Sequence, residues 1–405
     1  MLTHDQLSQA LLEAVRSQRF DALCQPFPSI DLAVVAWPRD AVPIWANVLF
    51  SRDFPQGIVV QMDERAGEVS NVRYLADQTD AHGESHVWRA QTDWDRVNWK
   101  HLAGDGLHRF VAPYPASLIK LMVAVGVARL VDADRYRWDA LWPYGDKTRT
   151  VAQWTESMLV ASSNEATNAM VALLHAGGLI EHSGAQEVNS LEQMFAIYGL
   201  HSLRLSDTRA DGGWRNADGA GVGHLQMTAW DTARLLWLMV CAARPETTGT
   251  PWLLQGAPPL LSKPQANRLW AMLADQGLHG VLSSTALAGV PGCQQGIAAH
   301  MPERWLQKDG SALVQDYAYP PDIRPANAQA QVHFAHKTGT TDNYCSDAGW
   351  VTPLATEGRN SAGHYVIAMT SNLGARFAPA PACSTDWRIP RMAAAIDAWL
   401  RPRLA

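Results

Sequence analysis

Ser117-Leu118-Ile119-Lys120 is a stretch where a nucleophile and a base stand at a useful spacing. Residues at i and i+3 share one face of a helix, so the hydroxyl and the amine can meet. A serine hydroxyl is a weak nucleophile until a base takes its proton, and a lysine kept neutral by apolar, cation-rich surroundings can be that base. Leu121-Met122-Val123-Ala124-Val125 follows Lys120 directly and supplies the apolar side. A helix start also favours negative charge developing near Ser117. Taken alone, the same four residues equally describe a capping serine and a solvated lysine.

Two further groups have chemistry-bearing residue types. Ser162-Ser163-Asn164 interrupts two apolar helical runs. It reads either as a helix cap or as a second hydroxyl and an amide facing a cleft, able to relay a proton and hold a carbonyl. Lys337-Thr338-Gly339-Thr340 ends an apolar strand. Strand alternation sends Lys337 to the face opposite His336, and the glycine lets another backbone or a ligand come close; an exposed edge with a turn is the competing description. The chain holds only six lysines, and Lys120 and Lys337 are two of them.

The three groups run in the order S-x-x-K, S-x-N, K-T-G, with 45 residues from Ser117 to Ser162 and 175 from Ser162 to Lys337. With the flanking Met158 to Asn168 (MLVASSNEATN) and Ala335 to Gly339 (AHKTG) followed by Asp347-Ala348-Gly349-Trp350-Val351, the chain resembles the serine β-lactamase and penicillin-binding protein superfamily, class A β-lactamases and D-Ala-D-Ala peptidases included. The likeness covers roughly residues 110–280 and 331–400. It implies an α/β (α+β) fold: an antiparallel sheet built from both chain ends and flanked by helices, beside an all-helical lobe. It further implies Ser117 as the acylated nucleophile, Lys120 as its base, Ser162 as the proton relay and Asn164 as the holder of the substrate amide. Lys337 with Thr338 would bind a substrate carboxylate, with Gly339 and Thr340 along the substrate. The backbone N–H groups of Ser117 and Thr340 would form the oxyanion hole. No metal and no organic cofactor is implied.

The chain departs from class A at one place. Those enzymes carry, between S-x-N and K-T-G, a Glu that activates the water releasing the acyl group. No Glu occurs from Gln193 to Pro245; the loop there offers Asp207, Asp211, Asn216 and Asp218. Asp207 and Asp211 are the candidates for a shorter deacylating base, with turn formation as the competing reading. Glu165 reads as a helix-start carboxylate.

The elements that must position these groups follow from periodicity. Thr3 and Gln6 form a capping-box pattern ahead of Leu7, Leu11, Ala14 and Val15, which predicts an opening amphipathic helix. Asp31–Trp37 and Gly57–Met62 are β-branched runs, and residues 63–67 read as a hairpin turn. From Pro115 to about Val240 the period is helical; residues 203–224 are turn-rich. Strand character returns in Val332–Gly339, Ala348–Thr352 and Tyr365–Ser371, before a final helix over Trp387–Leu400. The expected division is therefore 1–110 for the N-terminal helix and first strands, and 111–283 for a helical lobe with the first two motifs. Residues 284–330 form an irregular insertion, and 331–405 supply the K-T-G strand, the remaining strands and the C-terminal helix.

Composition narrows the function classes. In 405 residues, 47% are hydrophobic and only 18% charged, below the roughly 25% usual for globular chains, so disorder is excluded as the main state. A formal charge of −6 and no Lys/Arg run leave no footprint for nucleic acid. Five scattered cysteines without a C-x-x-C read as reduced thiols. His333 and His336 fall on opposite strand faces, which argues against a zinc site, and no G-x-S-x-G elbow occurs. No apolar run is long enough to cross a bilayer, and the N-terminus shows no signal peptide. The expectation is a cytoplasmic protein without a membrane partner, periplasmic only if a leader was removed. The leading reading is a serine hydrolase or acyltransferase acting on an amide, β-lactam or ester of a small molecule or short peptide with a carboxylate. A D-Ala-type peptidase or esterase that turns β-lactams over poorly is the alternative. A non-catalytic ligand-binding protein is the rival from another class, but it has no need of Lys120 beside Ser117. Trp214, in the turn-rich loop, is a candidate wall of the cleft.

Overall fold

Thr3 caps the first helix as its spacing with Gln6 predicts. The Thr3 hydroxyl accepts from the Gln6 N–H and the Gln6 side chain accepts from the Thr3 N–H, each at 3.2 Å. This is seen in a computed structural model, which describes residues 2–20, 28–88, 92–183, 186–214, 221–245, 249–254, 256–354, 363–378 and 384–405. Helix α1 (His4–Arg16) leads into strands β1 (Ile30–Trp37), β2 (Ile44–Ser51) and β3 (Phe54–Val59). A separate small sheet follows, from β4 (Val72–Ala76), β5 (Lys100–Ala103) and β6 (His108–Ala112). Next come helices α2 (Lys120–Asp132), α3 (Val151–Val160), α4 (Asn164–Ala176), α5 (Ser190–Ile197), α6 (Ala229–Ala243) and α7 (Lys263–Ala274). Among them lie three short pairings: β7 (Leu141–Tyr144) with β8 (Lys147–Thr150), β9 (Ile180–Ser183) with β10 (Gln186–Asn189), and β11 (Arg204–Leu205) with β12 (Leu225–Gln226). The chain closes with the hairpin of β13 (Ala312–Val314) and β14 (Tyr317–Tyr319), α8 (Arg324–Ala328), β15 (Val332–Thr340), β16 (Cys345–Pro353), β17 (His364–Ser371) and α9 (Arg388–Leu404).

The main sheet has the order β15-β16-β17-β1-β2-β3, antiparallel throughout. Strand β1 lies against β17, with Val34 opposite Ile367, so both chain ends build one sheet as expected. Both faces of β1 are covered, which is why Asp31–Trp37 is a nearly unbroken apolar run and not an alternating one. Ile30, Leu32, Val34 and Ala36 pack with Leu7 and Leu11 of α1 and with Met392, Ile396 and Leu400 of α9. Ala33, Val35 and Trp37 face the helices, where α6 crosses β1 and β17. Helix α2 is buried from Lys120 to Ala128, as a helix that is apolar all round must be.

Several expectations shift. The strand placed at 57–62 is β3, three residues earlier, and the 63–67 turn is closed by one Met62–Val69 bridge instead of two full strands. The 284–330 segment is not irregular throughout: besides its hairpin and α8 it has a small core of Ala286, Leu287, Met301, Val314, Tyr319 and Ile323. The reduced-thiol expectation is corrected as well. Cys241 and Cys345 are thiols outside any disulfide, but Cys293 is disulfide-bonded. Cys24 and Cys383 lie outside the described residues. No helix among the described residues is long and apolar enough to cross a membrane.

Candidate active site

Ser117 sits on a 3-10 turn, Ala116–Ile119, that runs straight into α2. Ala116 has φ +49°, a region that favours glycine and is retained where surrounding structure demands it. That demand is visible in two contacts. Ser346 of β16 donates its hydroxyl to the Pro115 carbonyl at 2.6 Å, and Gly339 of β15 lies so close that a Cβ there would stand 2.7 Å from the same carbonyl and 2.8 Å from the Leu118 nitrogen. The glycine of K-T-G thus serves the close approach read from the sequence, and the approaching backbone is the nucleophile's own turn.

Lys120, one helical turn on, is 2% exposed. Its Nζ lies within hydrogen-bond distance of Ser117 Oγ at 3.0 Å, Ser162 Oγ at 3.0 Å, Asn164 Oδ1 at 2.9 Å and the Ser162 carbonyl at 2.5 Å. Ser162 follows α3 with φ +59°, which turns its carbonyl and hydroxyl back toward this amine. Ser163 is the N-cap of α4, its side chain accepting from the Ala166 N–H at 3.2 Å, so the cap falls on the residue between Ser162 and Asn164. From β15, Lys337 donates its Nζ to Ser162 Oγ at 3.0 Å and to the Thr338 carbonyl at 2.7 Å. The Ser162 hydroxyl therefore bridges two amines that are far apart in the chain. Ser117, Lys120, Ser162, Asn164 and Lys337 are brought together.

The electrostatics follow from burial. Burial first, and the charge of Lys337 second, hold the Lys120 amine well below the ordinary lysine range. Burial pushes Lys337 down to about 7, against the pull of Asp347. Both amines therefore give up their protons more readily than an exposed lysine does, and Lys337, fully buried, is not among the residues lining the cleft beside Ser117.

The Thr341 N–H donates to the Tyr344 carbonyl at 2.9 Å across the β15–β16 turn. In an antiparallel ladder such pairs alternate, so the Thr340 N–H points away from β16, to the free edge beside the Ser117 turn. The Ser117 N–H belongs to the first residues of its turn, which have no intrahelical acceptor. Both donors border one cleft of about 290 Å³, lined also by Tyr114, Lys120, Asn164, Thr167, Asn168, Trp214 and Thr341. Thr167 and Asn168 share the Asn164 face of α4 by i+3 and i+4 spacing, a signal open to sequence reading but not taken up as a site. Tyr114 and Thr341 had no such signal. Trp214 does line the cleft. Thr338 is almost wholly buried.

The two candidate deacylating carboxylates do not join this group. Asp207 pairs with His224 Nδ1 at 2.6 Å. Asp211 accepts from the Gly213 N–H at 2.8 Å and from Arg209. Its carboxyl is held below the usual range first by that backbone bond, as a turn-forming Asp should be. Neither borders the cleft; both expectations are corrected. Asn216 and Asp218 lie outside the described residues. Glu165 stands in the first turn of α4 and pairs with Lys147 at 2.7 Å. No carboxylate lines the cleft among the described residues, and no cluster of metal-ligating side chains occurs among them. A larger depression of about 720 Å³ lies between residues 67–70, 101–105 and the start of α6. Of the two guanidiniums in its wall, Arg234 is engaged by Asp231 and by the Gly67 and Gly199 carbonyls, and Arg204 pairs with Glu192 at 3.4 Å.

No family model and no curated protein matches the chain. Among solved structures it is similar to PBP-A, at 14% identity over 98% of this chain and 96% of that one, with a TM-score of 0.46. It is similar to a β-lactamase from Sphaerobacter thermophilus DSM 20745, at 14% identity over 96% and 94%, TM-score 0.46. An ancestral class A β-lactamase is similar at 15% identity over 98% and 100%, TM-score 0.45. The chain's own topology is a mixed α/β one, a two-ended antiparallel sheet beside a helical lobe, with the three motifs meeting at their junction.

Proposed function

We propose that this protein is a serine hydrolase or acyltransferase that forms an acyl-enzyme on Ser117. The observation that carries the reading is the buried Lys120 amine, 3.0 Å from Ser117 Oγ and held below its ordinary range. Neutral Lys120 takes the hydroxyl proton as Ser117 Oγ attacks a carbonyl carbon. The charge growing on the carbonyl oxygen is met by the Ser117 and Thr340 N–H groups, each such donor commonly giving about 10²–10³ in rate. The bond from carbon to the leaving nitrogen or oxygen then breaks. The leaving atom receives the proton from Lys120 by way of Ser162, whose Oγ lies 3.0 Å from both lysine amines. Lys337 meets a carboxylate on the substrate, and Asn164 holds its amide.

The absence of a carboxylate from the described cleft lining favours the second reading within this class, a peptidase or esterase that β-lactams acylate and leave slowly. The bonded Cys293 favours an oxidising compartment over the cytoplasm. Incubation with a penicillin, followed by weighing the intact protein, tests the reading. A persistent adduct on Ser117, absent from Ser117→Ala, is the expected result. Rapid loss of the lactam ring without adduct would instead indicate a β-lactamase, and turnover unchanged in Ser117→Ala would overturn the acyl-enzyme.

A further inference from the structure

We propose that Asp77, which does not touch the cleft, is a positioning residue for the oxyanion donors: through Tyr344 it fixes the turn that carries Thr340 and Thr341. The proposal deepens the reading above and rests on it. The β15–β16 turn forms one lip of the cleft, since Thr340 and Thr341 both line it. It is closed by the Thr341 N–H on the Tyr344 carbonyl at 2.9 Å and by the Tyr344 N–H on Thr341 Oγ1 at 3.0 Å. The Tyr344 ring turns inward, 4% exposed and edge-on to the cleft residue Tyr114 at 5.5 Å. Its hydroxyl donates to Asp77 Oδ2 at 2.8 Å.

Asp77 is 3% exposed and is held by neutral donors: Tyr344, Ser85 Oγ at 2.6 Å and the Gln78 N–H at 2.8 Å. Burying a carboxyl this way is costly, and a fold keeps it where it does something. Its place in the chain says what. Asp77 directly follows β4, the central strand of the small sheet, which pairs in parallel with β6, Ala76 opposite Ala112. Beyond Ala112 the chain runs through Pro113 to Tyr114 and Ser117. One small sheet therefore holds both walls of the oxyanion hole. β6 delivers the Ser117 turn, and β4 reaches the Thr340 side through Asp77 and Tyr344. A second grip on the same turn comes from backbone, the Ala375 N–H on the Thr341 carbonyl at 2.9 Å and the Arg376 N–H on Asp342 at 3.0 Å. Cutting the Asp77 link should loosen the lip without releasing it.

The test uses Tyr344→Phe, which keeps the ring and removes only the hydroxyl, and Asp77→Ala, which removes the acceptor. Acylation by a fluorescent penicillin is followed over a range of concentrations to separate non-covalent affinity from the first-order acylation step, with thermal unfolding as the check on folding. Since a misplacement of about 1 Å costs about 10²-fold and the backbone grip persists, each variant should acylate about tenfold more slowly at unchanged affinity. The double variant should be no slower than the worse single one, because both remove one link. Folded variants that acylate at the wild-type rate, or that lose affinity alone, overturn the proposal and leave the acyl-enzyme reading standing. A wild type that takes no label on Ser117 overturns that reading, and the proposal falls with it.

Discussion

Replacing Gly339 with alanine perturbs the site where it has least room. The added Cβ would stand 2.4 Å from Ser346 Oγ, 2.7 Å from the Pro115 carbonyl and 2.8 Å from the Leu118 nitrogen, where ordinary contact begins at 3.4 Å. The serine hydroxyl can rotate away; the other two atoms are backbone of the turn that holds Ser117. That turn must back off from β15 by about 0.6–0.7 Å, which widens the gap between the Ser117 and Thr340 N–H groups. A 1 Å misplacement costs about 10²-fold and loss of one oxyanion donor about 10²–10³, so acylation should fall about 10²-fold. Stability should fall by only about 1–3 kcal/mol, as overpacking usually does. Stopped-flow acylation with a chromogenic cephalosporin, beside thermal unfolding, reads both. Adding Ser346→Ala removes the shortest contact but leaves the carbonyl in place, so it should restore little. A folded Gly339→Ala protein acylating at the wild-type rate would refute the claim that this contact sets the nucleophile's position.

Four other outcomes are expected. Lys120→Ala should slow acylation by about 10³-fold or more with the fold intact; an unchanged rate removes Lys120 from the mechanism. Lys337 loses its charge as pH rises through about 7, so KM for a carboxylate-bearing ester should climb across that range while KM for the same ester without the carboxylate should not. Asp207→Asn and Asp211→Asn should leave the deacylation rate unchanged, measured as loss of adduct mass with time, since both carboxylates are engaged away from the cleft. Asp31 is pushed by burial from 3.8 to about 7, so the folded protein holds a proton that the unfolded chain has released. That stability is complete below about 3.8 and is lost as pH climbs through about 7, about 4 kcal/mol in all. Urea unfolding should show wild type weakening from about pH 4 to about pH 7 relative to Asp31→Asn, and parallel profiles would exclude Asp31 as the cause.

The meeting of Ser117 with Lys120 and the two-ended sheet were legible because each rests on local spacing or on a buried apolar run. Strand alternation put Lys337 and His336 on opposite faces, and His336 indeed turns away to pair with Asp347 at 2.8 Å. What escaped was set by tertiary partners. Strand β2 (Ile44–Ser51) escaped because Asn47 interrupts its apolar run, and the polar side chain is fully buried against Asp31 at 2.7 Å. Asp207 and Asp211 looked like chemistry because turn-forming and catalytic aspartates share a residue type; only their partners, His224 and Arg209, separate the two. Asp77 and Tyr344 lie 267 positions apart, and no spacing rule joins them.

The interleaved sheet has a consequence for how this site comes into being. A ribosome finishes the stretch bearing Ser117, Lys120 and Ser162 long before it reaches β15, yet those residues meet Lys337 and the Thr340 amide only when the last third of the chain has emerged. Contacts so distant in sequence close late during folding. On the acyl-enzyme reading, a polypeptide that stops short of β15 would hold Ser117 and Lys120 without the second amine and the Thr340 amide that complete the site.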